Sequence, residues 1–126
     1  MLIVDDEHGI RDFLRSAFQA EGYTALVAGD GEEALQLCEA YLPDIVLLDL
    51  MMPRLDGLGF LHEFRRRHGV DVCPIIIMSA VSTAVEHAEA AGVTGALVKP
   101  FDLEELIGMV GSALGPHRAH ARQRLA

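Results

Sequence analysis

The chain has 126 residues and a mass of 13.7 kDa, which is enough for one domain with its own hydrophobic core. Its 51 % hydrophobic and 23 % charged residues are typical of a soluble globular protein, and no apolar run approaches the roughly 20 residues of a membrane span. The formal net charge of −9 argues against a domain body that grips nucleic acid.

The N-terminus of the chain and its cysteines indicate a cytoplasmic protein. Residues 1–4 are followed at once by acids, so the N-terminus lacks the basic start and long apolar stretch of a signal peptide. Cys38 and Cys73 show neither a CxxC pattern nor the spacing of Cys/His metal ligands, and we expect reduced thiols.

Five predicted strands alternate with five predicted helices at intervals of about 20 to 25 residues, which is typical of βα units in a parallel sheet. The predicted strands are Leu2–Val4, Thr24–Ala28, Ile45–Leu48, Ile75–Met78 and Ala96–Val98. The first strand is short for a central strand, since such strands usually have about five or six residues. Either the chain starts late or this strand is truncated at a cost in stability.

The first two helices are predicted from apolar stripes and from their end signals. The first ends at Gly22, and the second begins at Asp30, with Glu33 completing a capping box, and ends at Pro43. The stripe of the first helix is Ile10, Phe13, Leu14, Ala17 and Phe18. The stripe of the second is Ala34, Leu35, Cys38 and Leu42.

The remaining three helices have the same kind of boundaries. The third is predicted over Leu58–His68, before Gly69, and the fourth begins near Ser82-Thr83 and ends at Gly92. Because the fourth is rich in alanine and poor in large apolar residues, we expect it to hold the sheet weakly. The fifth is capped by Asp102 with Glu105 and closed by Gly115-Pro116. The residues that the third and fifth are expected to bury are Leu58, Leu61, Phe64, Leu103, Leu106, Ile107, Val110 and Leu114.

The predicted fold is an α/β, flavodoxin-like, doubly wound (βα)5 sandwich. Continuous apolar strands without alternation are typical of a parallel sheet covered on both faces, and five strands favour the order 2-1-3-4-5. The domain is expected to span residues 1–115. Residues 116–126, with Arg118, Arg122 and Arg124 and no acid, are expected to form a basic tail or linker remnant.

Four of the predicted strands end at reactive side chains. Asp5 and Asp6 follow the first strand, Asp49 the third and Ser79 the fourth, while Lys99, the only lysine in the chain, follows the fifth. Because ligands of such sheets bind beyond the carboxyl ends of the strands, we expect these side chains to meet in one crevice. Three acids there favour a hard cation such as Mg²⁺, and one carboxylate could attack a phosphoryl group with help from the hydroxyl and the ammonium.

Five segments resemble the receiver domain of two-component response regulators, in that family's order and near its usual spacing. They are Val4-Asp5-Asp6-Glu7, Leu47-Leu48-Asp49-Leu50-Met51-Met52-Pro53, Asp56-Gly57, Met78-Ser79-Ala80 and Val98-Lys99-Pro100-Phe101. The resemblance spans residues 1 to about 115. It implies a signalling domain, not an enzyme that turns over a substrate, with self-catalysed phosphotransfer and dephosphorylation.

The resemblance also implies a role for each site residue. Asp49 would be the phosphoacceptor and, with Asp6, Asp5 (mainly through water) and the backbone carbonyl of Met51, would hold Mg²⁺. Ser79 and Lys99 would bind the phosphoryl group. The Lys99-Pro100 bond is expected to be cis, which a tertiary X–Pro amide permits.

The implied phosphodonor is a histidine kinase or a histidine phosphotransfer protein, and the implied target is an output domain or protein. No membrane contact is expected, and nucleic acid would be contacted only through an output domain. A monomer and a weak homodimer are both compatible with the sequence.

One position departs from the family. Three residues before the lysine, where the family usually carries Tyr or Phe, this chain has Ala96. The aromatic side chain that would swing inward on activation is therefore missing. We expect phosphorylation to shift the helix near Thr83–Ala91 without an aromatic rotamer change.

Two other functions compete with a phosphoacceptor. A phosphatase of the haloacid dehalogenase type also uses Asp, Mg²⁺, Lys and Ser/Thr, but its nucleophile lies in a DxD motif, whereas Met51 stands two residues after Asp49. A receiver-like docking module would never take up phosphate, and the complete set of three acids, serine and lysine argues against it.

Overall fold

The computed structural model describes the backbone of residues 1–52 and 54–125 and the side chains of residues 1–52 and 54–115. Strands and helices alternate along the chain as predicted. They are β1 (Leu2–Val4), α1 (His8–Ala20), β2 (Leu26–Ala28), α2 (Gly31–Ala40), β3 (Val46–Asp49), α3 (Gly57–His68), β4 (Ile75–Ser79), α4 (Ser82–Ala90), β5 (Gly95–Val98) and α5 (Leu103–Leu125).

The five strands form one parallel sheet in the order β2-β1-β3-β4-β5, which confirms the predicted fold. Both faces are covered, because α1 and α5 pack on one face and α2, α3 and α4 on the other. The sheet is thus the middle layer of a three-layer sandwich. Its apolar strands lack alternation because each of their side chains meets a helix on one face or the other.

Several boundaries and burial patterns differ from the sequence predictions. β2 begins at Leu26, two residues later than predicted. α2 ends at Ala40, so Leu42 lies beyond the helix and is exposed instead of buried. In α3, Phe60 is fully buried and Leu58 is 43 % exposed, because the helix begins with Gly57 against the sheet and this rotates Phe60 inward.

The predicted end of the fifth helix at Gly115-Pro116 is only partly correct. The backbone of Gly115 is non-helical, with φ 76° and ψ 168°, yet helical backbone continues to Leu125. The side chains of the predicted basic tail, Arg118, Arg122 and Arg124, lie outside the residues whose side chains are described.

α4 has the smallest buried face of the helices that cover the sheet. Its buried residues are Val85 and Ala88, and its N-cap, Val81, offers no side-chain hydrogen bond. At its other end Arg65 of α3 donates hydrogen bonds to the carbonyl oxygens of Ala91 (2.7 Å) and Gly92 (3.2 Å). These two bonds join the C-terminal end of α4 to α3, while the helix itself lies close against β4 and β5 through small side chains.

Among the described residues, none of the helices combines the length and the hydrophobicity that a membrane crossing demands.

Candidate functional site

The carboxyl ends of four parallel strands place the predicted site residues along one edge of the sheet. In the strand register Val4 pairs with Leu48, Asp49 with Met78, and Ser79 with Val98. The residues that follow β1 and β5 and those that end β3 and β4 therefore lie side by side. The crevice lies at the topological switch point of the sheet, where the chain leaves β1 toward one face and leaves the neighbouring β3 toward the other.

The three acids form one compact cluster. Asp5, Asp6 and Asp49 each offer a carboxylate oxygen, and these oxygens lie within 4.8 Å of one another. Asp5 and Asp49 are buried, whereas Asp6 is exposed. Like charges this close repel, and a hard divalent cation with oxygen ligands and retained water relieves such repulsion. The donor set and its access to solvent through Asp6 therefore fit Mg²⁺.

Lys99 lies between the two buried acids. Its Nζ is 2.6 Å from Asp5 Oδ2 and 3.7 Å from Asp49 Oδ2. Burial lowers the pKa of Lys99, but the hydrogen bond to Asp5 and the charges of Asp5 and Asp49 outweigh burial, and the net effect raises the pKa. The side chain is therefore a permanent cation within reach of Asp49. The Lys99-Pro100 peptide bond is cis, as the resemblance implied.

Asp49 is buried, and its surroundings disfavour the ionised form of its carboxyl group. Burial and then the negative charge of Asp5 raise the pKa of Asp49 to about 6, against the opposing effects of Lys99 and of the Met51 N–H. That N–H donates to Asp49 Oδ1 over 3.2 Å. At pH 7 the group is still largely ionised and is available as a nucleophile.

Ser79 and Met51 both lie near Asp49, one at the end of β4 and the other two residues after β3. Ser79 is fully buried at the end of β4, and its Oγ accepts a hydrogen bond from the Val81 N–H over 3.1 Å. Its hydroxyl hydrogen remains available for an incoming oxygen. Met51 has an exposed side chain and contacts Asp49 through its backbone N–H.

Two further features of the site were not anticipated from the sequence. Asp30, interpreted as a helix cap only, also forms an ion pair with Arg54, which lies in the loop between β3 and α3. Arg11 of α1 donates to the backbone carbonyl of Asp5 over 2.8 Å. The first contact joins residues 24 positions apart and the second joins residues six positions apart, and no local pattern of residue types marks either of them.

Gly57 packs directly beneath Asp49. A Cβ atom at this position would lie 2.4 Å from the Asp49 carbonyl oxygen and 2.6 Å from Leu50 Cα, both backbone atoms. The close approach shows why a glycine is required there, since a side chain would displace the strand end that carries Asp49.

We expect Gly57→Ala to destabilise the fold by about 1 to 3 kcal/mol, because the forced overlap exceeds the gain in helix propensity. Urea denaturation measures the change. Gly108→Ala is the matched control, since a Cβ there meets no atom within 4 Å and the substitution should be neutral or stabilising. Equal effects of the two substitutions would contradict the steric explanation.

Residues 1–111 match the family model described as the response regulator receiver domain. A curated relative, the probable transcriptional regulator ycf27 of Guillardia theta, is 40 % identical over 116 residues, which cover 90 % of this chain and 44 % of that protein. The chain spans about half the length of the curated relatives that it matches.

Solved structures agree with this match. The receiver domain of the Francisella response regulator 1452 superposes with a TM-score of 0.80 at 34 % identity, covering 90 % of this chain and 93 % of that one. The response regulator TrrA from Thermotoga maritima, in complex with Mg(2+)-BeF, superposes with a TM-score of 0.79 at 34 % identity, covering 90 % and 96 %. Together with the strand order and the edge at which the acids meet, these matches show that the chain belongs to the response regulator receiver domain family.

Proposed function

We propose that this domain receives a phosphoryl group on Asp49 in a Mg²⁺-dependent transfer from a histidine kinase or histidine phosphotransfer protein, and that it regulates an output by changing conformation. One observation carries the proposal. The ionised Asp49 carboxylate lies 3.7 Å from the only lysine, in a cluster with two further acids at the switch point of the sheet.

The proposed cation site consists of the carboxylates of Asp5, Asp6 and Asp49 and the backbone carbonyl of Met51. A bound Mg²⁺ would neutralise charge on the transferring phosphoryl oxygens. The TrrA structure, which is a complex with Mg(2+)-BeF, supports the choice of this cation for a related protein.

The chain's own residues supply the rest of the chemistry. The Asp49 carboxylate attacks phosphorus, an O–P bond forms, and the P–N bond to the donor histidine breaks with its electron pair on the imidazole. Lys99 is placed to exchange Asp5 for a phosphoryl oxygen, and the Ser79 hydroxyl can donate to another. Because these groups all belong to the domain, it would catalyse its own phosphorylation from a small donor.

The same arrangement supports self-catalysed dephosphorylation. Water that hydrolyses the acyl phosphate must approach past Met51 and Val81, whose side chains are both exposed at the edge of the site. Two apolar side chains at this edge would slow the entry of water without closing the path.

The partners follow from the family and from the length of the chain. Since the matched relatives are about twice as long, we propose that the output belongs to a further part of the protein or to a separate target. Contact with nucleic acid would occur through that output. We expect the domain to act in the cytoplasm, as a monomer or a weak homodimer.

Incubation with acetyl phosphate and Mg²⁺, followed by intact-protein mass spectrometry, tests the proposed function. We expect one phosphoryl group per chain, labile to base and absent when EDTA is present. Steady release of phosphate from many monoesters would instead favour the phosphatase. A chain that takes up no phosphoryl group would favour the docking module.

A further inference from the structure

Asp30 joins two elements that are distant in sequence. Its Oδ1 accepts a hydrogen bond from the Glu33 N–H over 2.8 Å and so caps α2. Its Oδ2 pairs with the guanidinium of Arg54, in the loop between β3 and α3. The Asp30 side chain is only 2 % exposed, whereas that of Arg54 is 66 % exposed. A cap needs one carboxylate oxygen, and Arg54 satisfies the second, which burial would otherwise leave uncompensated.

The loop itself is held in an uncommon conformation at this point. Arg54 has φ 61°, in the left-handed region that few non-glycine residues adopt. Such a conformation persists where the surroundings impose it. The next residue provides a second attachment, because the Leu55 carbonyl oxygen accepts a hydrogen bond from the Gly31 N–H over 2.9 Å. A Cβ at Gly31 would lie 2.4 Å from that oxygen, so α2 and the loop are in direct backbone contact.

The four residues Asp30, Gly31, Arg54 and Leu55 therefore form a latch between the start of α2 and the loop that leaves Asp49. The opposite end of this loop is fixed by the Gly57 N–H, which donates to the Leu50 carbonyl oxygen over 3.1 Å. Met51 lies between the two attachments. Its position is thus restrained from both sides, although neither Asp30 nor Arg54 belongs to the acid cluster.

We propose that this latch positions the Met51 backbone for cation binding, so that Asp30 and Arg54 set the affinity of the domain for Mg²⁺. The inference rests on the proposed function, because it takes the Met51 carbonyl as a ligand. Ligand sets are held in place by contacts outside the ligands themselves, and losing such a contact weakens metal binding on the order of tenfold or more. Asp30 and Arg54 are positioning residues in this sense.

Two substitutions release the latch with little other change. Asp30→Asn removes the charge that pairs with Arg54 but keeps an amide oxygen for the α2 cap. Arg54→Asn removes the guanidinium and places at this left-handed position a residue type that tolerates it. Arg66→Asn is the matched control, since Arg66 is exposed and forms its ion pair with Glu63 within α3.

Two measurements on the unphosphorylated chain report the result. Calorimetric titration with MgCl₂ gives the Mg²⁺ dissociation constant, and hydrogen exchange of the Gly31 amide reports on the latch without any metal. We expect both latch variants to weaken Mg²⁺ binding on the order of tenfold and to speed exchange at Gly31. Arg54→Lys should recover part of the affinity, and Arg66→Asn should match the unsubstituted chain.

The double variant that combines Asp30→Asn with Arg54→Asn tests whether the two residues act as a pair. If Asp30 and Arg54 act as a pair, the loss of Mg²⁺ affinity in the double variant should equal that of either single variant and not their product. Variants with wild-type Mg²⁺ affinity but faster Gly31 exchange would overturn the inference and leave the proposed function intact. An unsubstituted chain that binds no Mg²⁺ would contradict the proposed function and the inference together.

Discussion

Asp49→Asn is expected to abolish the stoichiometric, Mg²⁺-dependent acyl phosphate that acetyl phosphate forms with the unsubstituted chain. An amide oxygen is too poor a nucleophile to attack phosphorus, so no acyl phosphate forms on the side chain at position 49. Intact-protein mass spectrometry after a fixed incubation measures the label. Asp71→Asn, an exposed acid before the start of β4 at the opposite edge of the sheet, is the control that should leave labelling unchanged.

A label of unchanged stoichiometry in Asp49→Asn would contradict the assignment. Asp5 and Asp6, the other acids of the cluster, would then be the first positions to examine. Peptide mapping of the labelled chain tests this, because trypsin cleavage after Arg11 and Arg15 separates the segment of the first two acids from that of position 49.

The same substitution should raise the stability of the Mg²⁺-free protein at pH 7. The folded-state pKa of Asp49 is raised from 3.8 to about 6, so the ionised group destabilises the folded state above that pH. Removing the charge should therefore add roughly 1 to 3 kcal/mol to the free energy of unfolding at pH 7. The difference should vanish as the pH falls below about 4, where Asp49 is protonated in both states. Urea denaturation at both pH values checks the sign.

Lys99→Ala is expected to separate phosphorylation from signalling. Without Nζ, Asp49 can still be phosphorylated, but the phosphoryl group has no cation at the end of β5 with which to form an ion pair. Because Lys99 is joined to β5 and its backbone N–H bonds the Ser79 carbonyl over 2.7 Å, it is the link from the phosphate to the neighbouring strands. We expect α4 to shift on phosphorylation of the unsubstituted chain, and this shift to be lost in Lys99→Ala.

Backbone NMR of α4 amides, recorded before and after phosphorylation, measures this shift. Lys99→Arg is the comparison, because it keeps the charge but replaces a compact ammonium by a planar guanidinium. It should be phosphorylated and should restore the α4 shift only in part. Undiminished α4 shifts in Lys99→Ala, or shifts confined to the phosphate pocket in the unsubstituted chain, would contradict the assignment.

Because Ala96 offers no aromatic rotamer change to measure, the shift of α4 is the conformational change that the experiment follows. The residue that would be aromatic in most of the family is alanine here, and α4 buries little against the sheet while Arg65 holds its C-terminal end. A helix whose buried side chains are as small as Val85 and Ala88 can shift with small losses of packing. Movement of α4 therefore needs no aromatic side chain to drive it.

Much of the fold was predictable because its signals are local. Apolar runs identified β1, β3 and β4, and glycines at positive φ marked helix ends, as at Gly22 and Gly92. The errors arose where tertiary contacts override local pattern. Leu58 and Phe60 are both apolar, and only the packing of Gly57 against Asp49 decides that Phe60 faces the core. Leu42 continued an apolar stripe beyond the point where the chain leaves the helix.

The sequence by itself determined which chemistry is available, because residue type and strand order place Asp5, Asp6, Asp49, Ser79 and Lys99 at one edge of a parallel sheet. Only the tertiary structure decided how these groups are held. Lys99 pairs with Asp5 more closely than with Asp49, and Asp30 reaches Arg54 across 24 positions of sequence. Such contacts depend on distances between elements that pack on one another, and no local spacing of residues encodes those distances.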